Sequence, residues 1–296
     1  SSLERVPGWT DRLTKLSPRQ IRHIKRESSF LSQGCSGCPR QKLKKITKMI
    51  TEMKTLESPI ESRVEKNLVG AVSIILPVYN QADHIDRIVS EYKEVLDRLP
   101  IPYELILVTN ACKDNSKEVC NELAERNENI VWQNIDQGGW GRAVKQGLKA
   151  STGELVCYTN SARTSPEILS LTLLYAIAYP NVVVKANRKI RDNWRRRLGS
   201  LLYNLEARAL FDLPVWDING TPKIFPRKFD KLLDLKRDDD IIDAEFNMVC
   251  RRENYPIVEV PVLSTKRHSG KSTTNYNSAF KMYFGVYDLW RQSKQK

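Results

Sequence analysis

From Ala71 onward the chain alternates short apolar runs with longer segments whose apolar residues recur every three or four positions. Val72-Ser73-Ile74-Ile75-Leu76-Pro77-Val78 is a nearly continuous apolar run, the pattern of a strand buried on both faces of a parallel sheet. Asp83 to Leu99 predicts a helix, and Glu104-Leu105-Ile106-Leu107-Val108 a second strand. Asp114 to Asn127 predicts a helix, Ile130 to Asn134 a third short strand, Gly141 to Ala150 another helix and Leu155 to Tyr158 a fourth strand. The uncharged stretch from Ile168 to Val184 includes Ser170, Thr172, Pro180 and Asn181. It falls short of the roughly 20 apolar residues of a spanning helix, and so predicts a buried helix followed by a strand. Strands and helices alternating at this spacing predict an α/β domain with a mostly parallel sheet flanked by helices.

The pattern changes near residue 70. Residues 1–70 read as a basic helical extension, with helices expected around Pro18–Leu31 and Gln41–Leu56 on either side of the turn Gly34-Cys35-Ser36-Gly37-Cys38-Pro39. Residues 71–296 read as the main domain. Lys and Arg number 48 against 35 Asp and Glu, a net charge of +13. That charge suits an anionic membrane surface, phosphates or nucleic acid. With no zinc-finger or RNP-type motif in the chain, nucleic acid is the least expected partner. At 41% hydrophobic and 28% charged residues, the composition excludes a disordered or fibrous chain. The six cysteines do not form a disulfide framework, and Cys35-x-x-Cys38 lacks a second ligand pair at zinc spacing. Cys112, Cys120, Cys157 and Cys250 are expected as small buried side chains in a reducing compartment. Ser1 to Gln20 lacks the apolar centre of a secretory leader. With Ser at position 1, a trimmed start is expected.

In parallel sheets, ligands bind beyond the carboxyl ends of the strands. The segments that follow the predicted strands are therefore the candidates. They are Pro77-Val78-Tyr79-Asn80-Gln81, Thr109-Asn110-Ala111-Cys112-Lys113-Asp114-Asn115-Ser116, Asp136-Gln137-Gly138-Gly139-Trp140-Gly141-Arg142-Ala143 and Thr159-Asn160-Ser161-Ala162-Arg163-Thr164-Ser165-Pro166-Glu167. Each has a purely structural alternative: Asp114 as a helix cap, the glycines as a tight turn.

In their order and spacing these segments resemble family 2 glycosyltransferases of the GT-A fold, in the branch of dolichyl-phosphate mannose synthase and bacterial polyprenyl-phosphate sugar transferases. The second half continues the likeness through Arg188 to Arg197, Asp217-Ile218-Asn219-Gly220-Thr221-Pro222-Lys223, Asp243-Ala244-Glu245, Val258 to Val262 and Arg267-His268-Ser269-Gly270-Lys271-Ser272. The resemblance implies an inverting transferase that moves a sugar from UDP or GDP to a lipid-linked phosphate. It would work peripherally at the cytoplasmic face of a membrane. A saccharide hydroxyl as acceptor, or a silent nucleotide-sugar binder, are the alternatives. The implied donor-binding residues are Pro77, Tyr79, Asn80, Asn110, Asp114, Arg142, Thr159, Asn160, Ser161, Arg267, Lys271 and Ser272. Arg188, Arg191, Arg197 and Ser200 would meet the acceptor phosphate.

One departure matters for the chemistry. The family's Asp-x-Asp falls on Thr159, Asn160 and Ser161, and its Asp-Asp pair on Thr109 and Asn110. Hydroxyls and amides alone are poor anchors for a hard divalent cation, so magnesium or manganese binding is doubtful. Arg163, with Arg267 and Lys271, is expected to stand in for the cation, because guanidinium groups bind phosphate oxygens bidentately. A solvated surface position is its bland alternative. Asp243 is the candidate base or positioning carboxylate, with helix-dipole complementarity as the alternative for both Asp243 and Glu245. The aromatic tail from Ala279 to Trp290 is expected either in a lipid interface or packed on the domain.

Overall fold

The computed structural model describes residues 70–188, 194–263 and 276–295. The N-terminal extension, its Cys35 and Cys38, and the boundary expected near residue 70 lie outside the described residues.

The predicted alternation forms. The elements are β1 (Val72–Val78), α1 (Ile85–Leu96), β2 (Tyr103–Asn110), α2 (Ser116–Arg126), β3 (Ile130–Ile135), α3 (Trp140–Ala150), β4 (Leu155–Tyr158), α4 (Pro166–Ala178) and β5 (Val183–Arg188). They continue with α5 (Trp194–Phe211), β6 (Lys223–Pro226), a short 3-10 turn, α6 (Ile242–Arg252), β7 (Ile257–Val262) and α7 (Tyr276–Lys294). α1 buries Ile85, Ile88, Val89, Tyr92 and Leu96, one stripe at helical spacing. α4 starts where Ser165 caps Ile168 N–H, with Pro166 in its first turn.

One seven-stranded sheet runs in the order β3-β2-β1-β4-β6-β5-β7. β6 is antiparallel to both β4 and β5, and the remaining pairs are parallel. An apolar layer under α1, α2 and α4 covers one face, and a second under α3 and α6 covers the other. A third cluster joins α5, α7, the start of α6 and the segment before β6. Cys120, Cys157 and Cys250 are buried as expected, while Cys112 is half-buried.

The chain lays β1, β2 and β3 outward to one side, then returns to place β4 on the other side of β1. The loops after β1 and β4 thus diverge at a topological switch point, the crevice where ligands bind in open α/β sheets.

The basic residues between Lys185 and Arg197 do not share one element. Lys185 and Arg188 belong to β5, where Lys185 is completely buried, and the helix begins only at Trp194.

Candidate functional site

The loops above the crevice are tied to one another by short side chains. Ser161 Oγ, after β4, donates to Gln81 Oε1, after β1, at 2.8 Å, bridging the two sides of the switch point. Gln81 N–H donates to Ser116 Oγ (2.8 Å), and that hydroxyl donates to Asp114 Oδ1 (2.6 Å). Asp114 Oδ2 accepts from Ala82 N–H (3.0 Å), which ties the loop after β2 back to the loop after β1. The hydrogen bonds hold the Asp114 carboxyl below its usual range, against the opposing pull of burial. Asn80 accepts from Lys113 N–H (2.8 Å). Asn110 donates to Val78 C=O (2.8 Å) and accepts from Gly139 N–H (3.3 Å), adding the loop before α3. Asn80 and Ala111 both adopt positive φ, at 50° and 49°, so the loops after β1 and β2 each turn through a left-handed residue.

The structure therefore joins Asn80, Asn110, Asp114 and Ser161 into one lattice. Two of its links, Gln81 and Ser116, belong to the candidate strand-end segments but were given no role there, since nothing marks a lone Gln or Ser as the meeting point of two loops. Pro77 is buried in β1, and Tyr79 stands exposed just beyond it.

The turn after β4 closes on itself. The Thr159 and Thr164 hydroxyls share a 2.7 Å hydrogen bond, and Asn160 Oδ1 accepts from Ala162 N–H at 3.0 Å. Thr164 C=O accepts from the buried Tyr92 hydroxyl (2.7 Å). Thr159, Ser161 and Thr164 are buried, while Arg163 is half-buried. The donor set at these positions contains no carboxylate, and each of the three side-chain oxygens already has a protein partner. Among the described residues no three His, Cys, Asp or Glu side chains gather where they could hold a metal ion. The turn does not fit a hard divalent cation.

Arg142 points elsewhere than expected. Its side chain reaches Gly138 C=O and pairs with Asp238, which Lys145 also meets at 2.5 Å. The glycines explain the closeness: a Cβ on Gly139, at φ 153°, would lie 2.6 Å from Asp238 C=O, and one on Gly141 2.4 Å from Arg237 C=O. Only glycine lets the 237–239 segment rest on the start of α3.

The far half of the sheet carries charge. One register row runs Tyr158, Lys223, Lys185, Glu259 across β4, β6, β5 and β7. Above it sits the start of α6. Asp243 Oδ1 accepts from the Tyr158 hydroxyl (3.0 Å) and pairs with Lys223. Lys185 donates to Asp217 C=O (2.5 Å) and Asn247 Oδ1 (3.2 Å) and lies 3.6 Å from Glu259. Burial and the neighbouring Lys223 push the Lys185 ammonium down to about 8, against the pull of Glu259 and Asp217. Burial pushes Lys223 down as well, and raises the Tyr158 phenol with help from Asp243.

Arg188, expected to meet an acceptor phosphate, instead grips Asp217 bidentately at 2.7 and 2.8 Å. Glu259 accepts from the N–H groups of Trp216 and Asp217, fixing that turn. Glu245 accepts from Lys236 and Arg237 N–H, so its carboxylate closes the loop before α6. Of the Asp243/Glu245 pair, only Asp243 reaches the end of β4. Tyr158 is the residue that immediately precedes the Thr159 turn, so this carboxylate lies beside the crevice. Lys223 closes the Asp217–Lys223 motif but, like Tyr158 and Lys185, was given no site role from the sequence; for Lys185 the available signal was a lone Lys inside Val182-Val183-Val184-Lys185-Ala186.

Arg191, Arg267, Lys271 and Ser272 lie outside the described residues. Arg197 lies in α5 without a described side chain, and Ser200, half-buried, is one turn further along.

A family model described as glycosyl transferase family 2 matches residues 73–234. The undecaprenyl-phosphate 4-deoxy-4-formamido-L-arabinose transferase of Serratia proteamaculans is 26% identical over 234 residues, covering 77% of this chain and 68% of that protein. Its counterpart in Proteus mirabilis is 25% identical over 226 residues, covering 75% and 67%. Among solved structures, glucosyl-3-phosphoglycerate synthase from Mycobacterium tuberculosis with Mn2+, UDP and phosphoglyceric acid aligns with a TM-score of 0.58 at 15% identity, over 74% of this chain and 76% of that one. The same enzyme with Mg2+ and UDP gives 0.58 at 14%, over 76% and 80%. At that identity the likeness speaks for the fold alone.

Proposed function

The chain belongs to glycosyl transferase family 2, and on that premise we propose that it moves a sugar from a nucleoside diphosphate donor to a lipid-linked phosphate. The observation that carries this reading is the crevice between β1 and β4, with its tied loops and a buried carboxylate beside it, in a chain whose relatives are named as undecaprenyl-phosphate sugar transferases. The acceptor oxygen attacks the anomeric carbon as the bond to the β-phosphate oxygen breaks. The nucleoside diphosphate departs with the electron pair, and configuration inverts. Tyr79 and Asn80 stand at the donor side, and Arg163 in the turn after β4, with Arg267 and Lys271, supplies positive charge to the leaving diphosphate. Arg191 and Arg197, with Ser200, receive the acceptor phosphate.

A peripheral position on the cytoplasmic face of an anionic membrane fits this acceptor. Among the described residues no helix is long and apolar enough to cross a membrane. α5 exposes Leu201, Leu202 and Leu205, and α7 exposes Phe284 and Tyr287. The two helices are joined through Tyr203 and Tyr283, whose rings meet edge to face at 6.1 Å. The first turn of α5 is Trp194-Arg195-Arg196-Arg197, so apolar and basic positions adjoin, the pairing that holds a helix at an anionic interface.

Asp243 favours a second reading, in which the acceptor is a saccharide hydroxyl. Its Oδ1 is held by Tyr158 and Lys223, an arrangement suited to a fixed general base. A phosphate acceptor is already ionised and needs no base. The test is Asp243→Asn, assayed with polyprenyl phosphate and radiolabelled nucleotide-sugars. A loss of kcat within about tenfold matches the phosphate acceptor, whereas a loss near 10³-fold transfers the assignment to a hydroxyl acceptor. No transfer to polyprenyl phosphate by the unaltered protein, with any UDP- or GDP-sugar, overturns the leading reading.

A further inference from the structure

The residues above the crevice pose a charge problem. A nucleoside diphosphate brings two or more negative charges to the turn after β4. In the fold neighbours named above, UDP is accompanied by Mn2+ or Mg2+. Here the same turn offers two hydroxyls and an amide. Thr159 is completely buried and bonded to Thr164, Asn160 is bonded to Ala162 N–H, and Ser161 is bonded to Gln81. A hard cation recruiting these oxygens would meet only neutral ligands, already oriented by protein hydrogen bonds, and would gain no anionic one.

Three carboxylates of the surrounding loops and of the start of α6 are already committed. Asp114 accepts from Ala82 N–H, Ser116 N–H and the Ser116 hydroxyl. Asp243 faces Lys223 and Tyr158. Glu245 is bonded to Lys236 and Arg237 N–H. In the buried network beyond β4, Asp217, Asp243 and Glu259 are matched in number by Lys185, Arg188 and Lys223. Asp240 stands outside this match, and burial together with the neighbouring Asp243 and Asp239 pushes its carboxyl up toward the neutral form.

The lattice also performs a task that a bridging cation otherwise performs, which is to fix the loops on the two sides of the switch point relative to each other. The link from Ser161 through Gln81 and Ser116 to Asp114 spans from the β4 turn to the loop after β2 without any ion. We infer that this chain binds its nucleoside diphosphate without a divalent cation, the neutral Ser161–Gln81 bridge holding the crevice and protein cations meeting the diphosphate. The inference rests on the donor reading given above and deepens it. Arg163 is the described cation in that turn. Its guanidinium presents paired N–H donors to phosphate oxygens and remains charged at any working pH.

The test is calorimetric titration of the full chain with UDP, GDP, CDP and ADP, each in buffer containing Mg2+, Mn2+ or EDTA. At least one nucleotide is expected to bind with affinities that agree within about threefold across the three buffers. Binding seen with Mg2+ or Mn2+ and weakened more than about thirtyfold by EDTA overturns the metal-free inference and leaves the donor reading standing. Absence of binding by every nucleotide in every buffer overturns both. Calorimetry reads binding alone, so the outcome does not depend on identifying the acceptor or on turnover.

Discussion

The two halves of the sheet solve the same problem with different chemistry. In the parallel half, β3-β2-β1-β4, the strand ends are joined by short neutral side chains, with Asp114 the only charged member of the lattice. In the half containing β6, β5 and β7, the corresponding level of the sheet is built from buried Lys and Arg matched to Asp and Glu. The first half leaves a crevice where a charged ligand supplies its own charge. The second half carries its charge internally and fixes α6, and with it Asp243, to the sheet. Neutral bonds are each modest, whereas a buried ion pair is costly to break once formed. The difference implies a robust frame on one side of the crevice and an adjustable one on the other.

The sharpest way to break this contrast is Lys223→Met. The substitution leaves Asp243 buried without its partner and is expected to destabilise the fold by about 3–5 kcal/mol in urea denaturation. Combining it with Asp243→Asn is expected to return most of that loss. If the single variant is as stable as the parent, the charged half is not the frame described here.

The next effect is a pH dependence confined to the charged half. Lys185 is pushed down to about 8 from an ordinary 10.5. Between those two pH values the unfolded chain holds more protons than the folded one, so this residue's penalty is full below pH 8 and is relieved as pH rises to 10.5. The stability of the parent minus that of Lys185→Met is therefore expected to rise with pH across that window, with a slope approaching about 1.4 kcal/mol per pH unit. A flat difference would show that Lys185 keeps its ordinary titration.

The smallest effect belongs to the neutral half. Ser161→Ala removes the bridge to Gln81 and is expected to cost about 1 kcal/mol of stability. Donor affinity is expected to weaken several-fold, by calorimetry, because the crevice loses its fixed width. A loss as large as that of Lys223→Met would erase the distinction between the halves.

Much of the fold was legible because strands and helices announce themselves locally. β1 and β4 fall at their expected limits, and β2 extends its expected run by one residue at the start and two at the end. The helices begin and end within a few residues of their periodic patterns. The strand-end segments were also legible, since a parallel sheet places its ligands there whatever its sequence. Individual side chains were less so. Arg142 read as a donor-binding residue and Arg188 as an acceptor-phosphate ligand from their positions in motifs, yet Asp238 and Asp217, distant in sequence, pair with them. Asp243 was the candidate carboxylate of the Asp243-Ala244-Glu245 segment, but what separates it from Glu245, its contacts with Tyr158 and Lys223 on the strands, comes from the fold.

Legible along the chain were the α/β alternation, the approximate limits of the elements from β1 to β4, the four strand-end segments and the lack of a carboxylate at positions 159–161. These follow from residue type and spacing along the chain, where periodicity acts over a few residues. Only the tertiary structure decided that β6 enters the sheet antiparallel between β4 and β5, setting Lys223 beside Tyr158 and Lys185 in register. Tyr158 and Asp243 stand 85 positions apart in the chain. Their hydrogen bond depends on strand register and on where α6 lands, and no local pattern encodes either. Burial then turns these residues from surface charges into a matched network, because a charge taken out of water must find its partner within the fold.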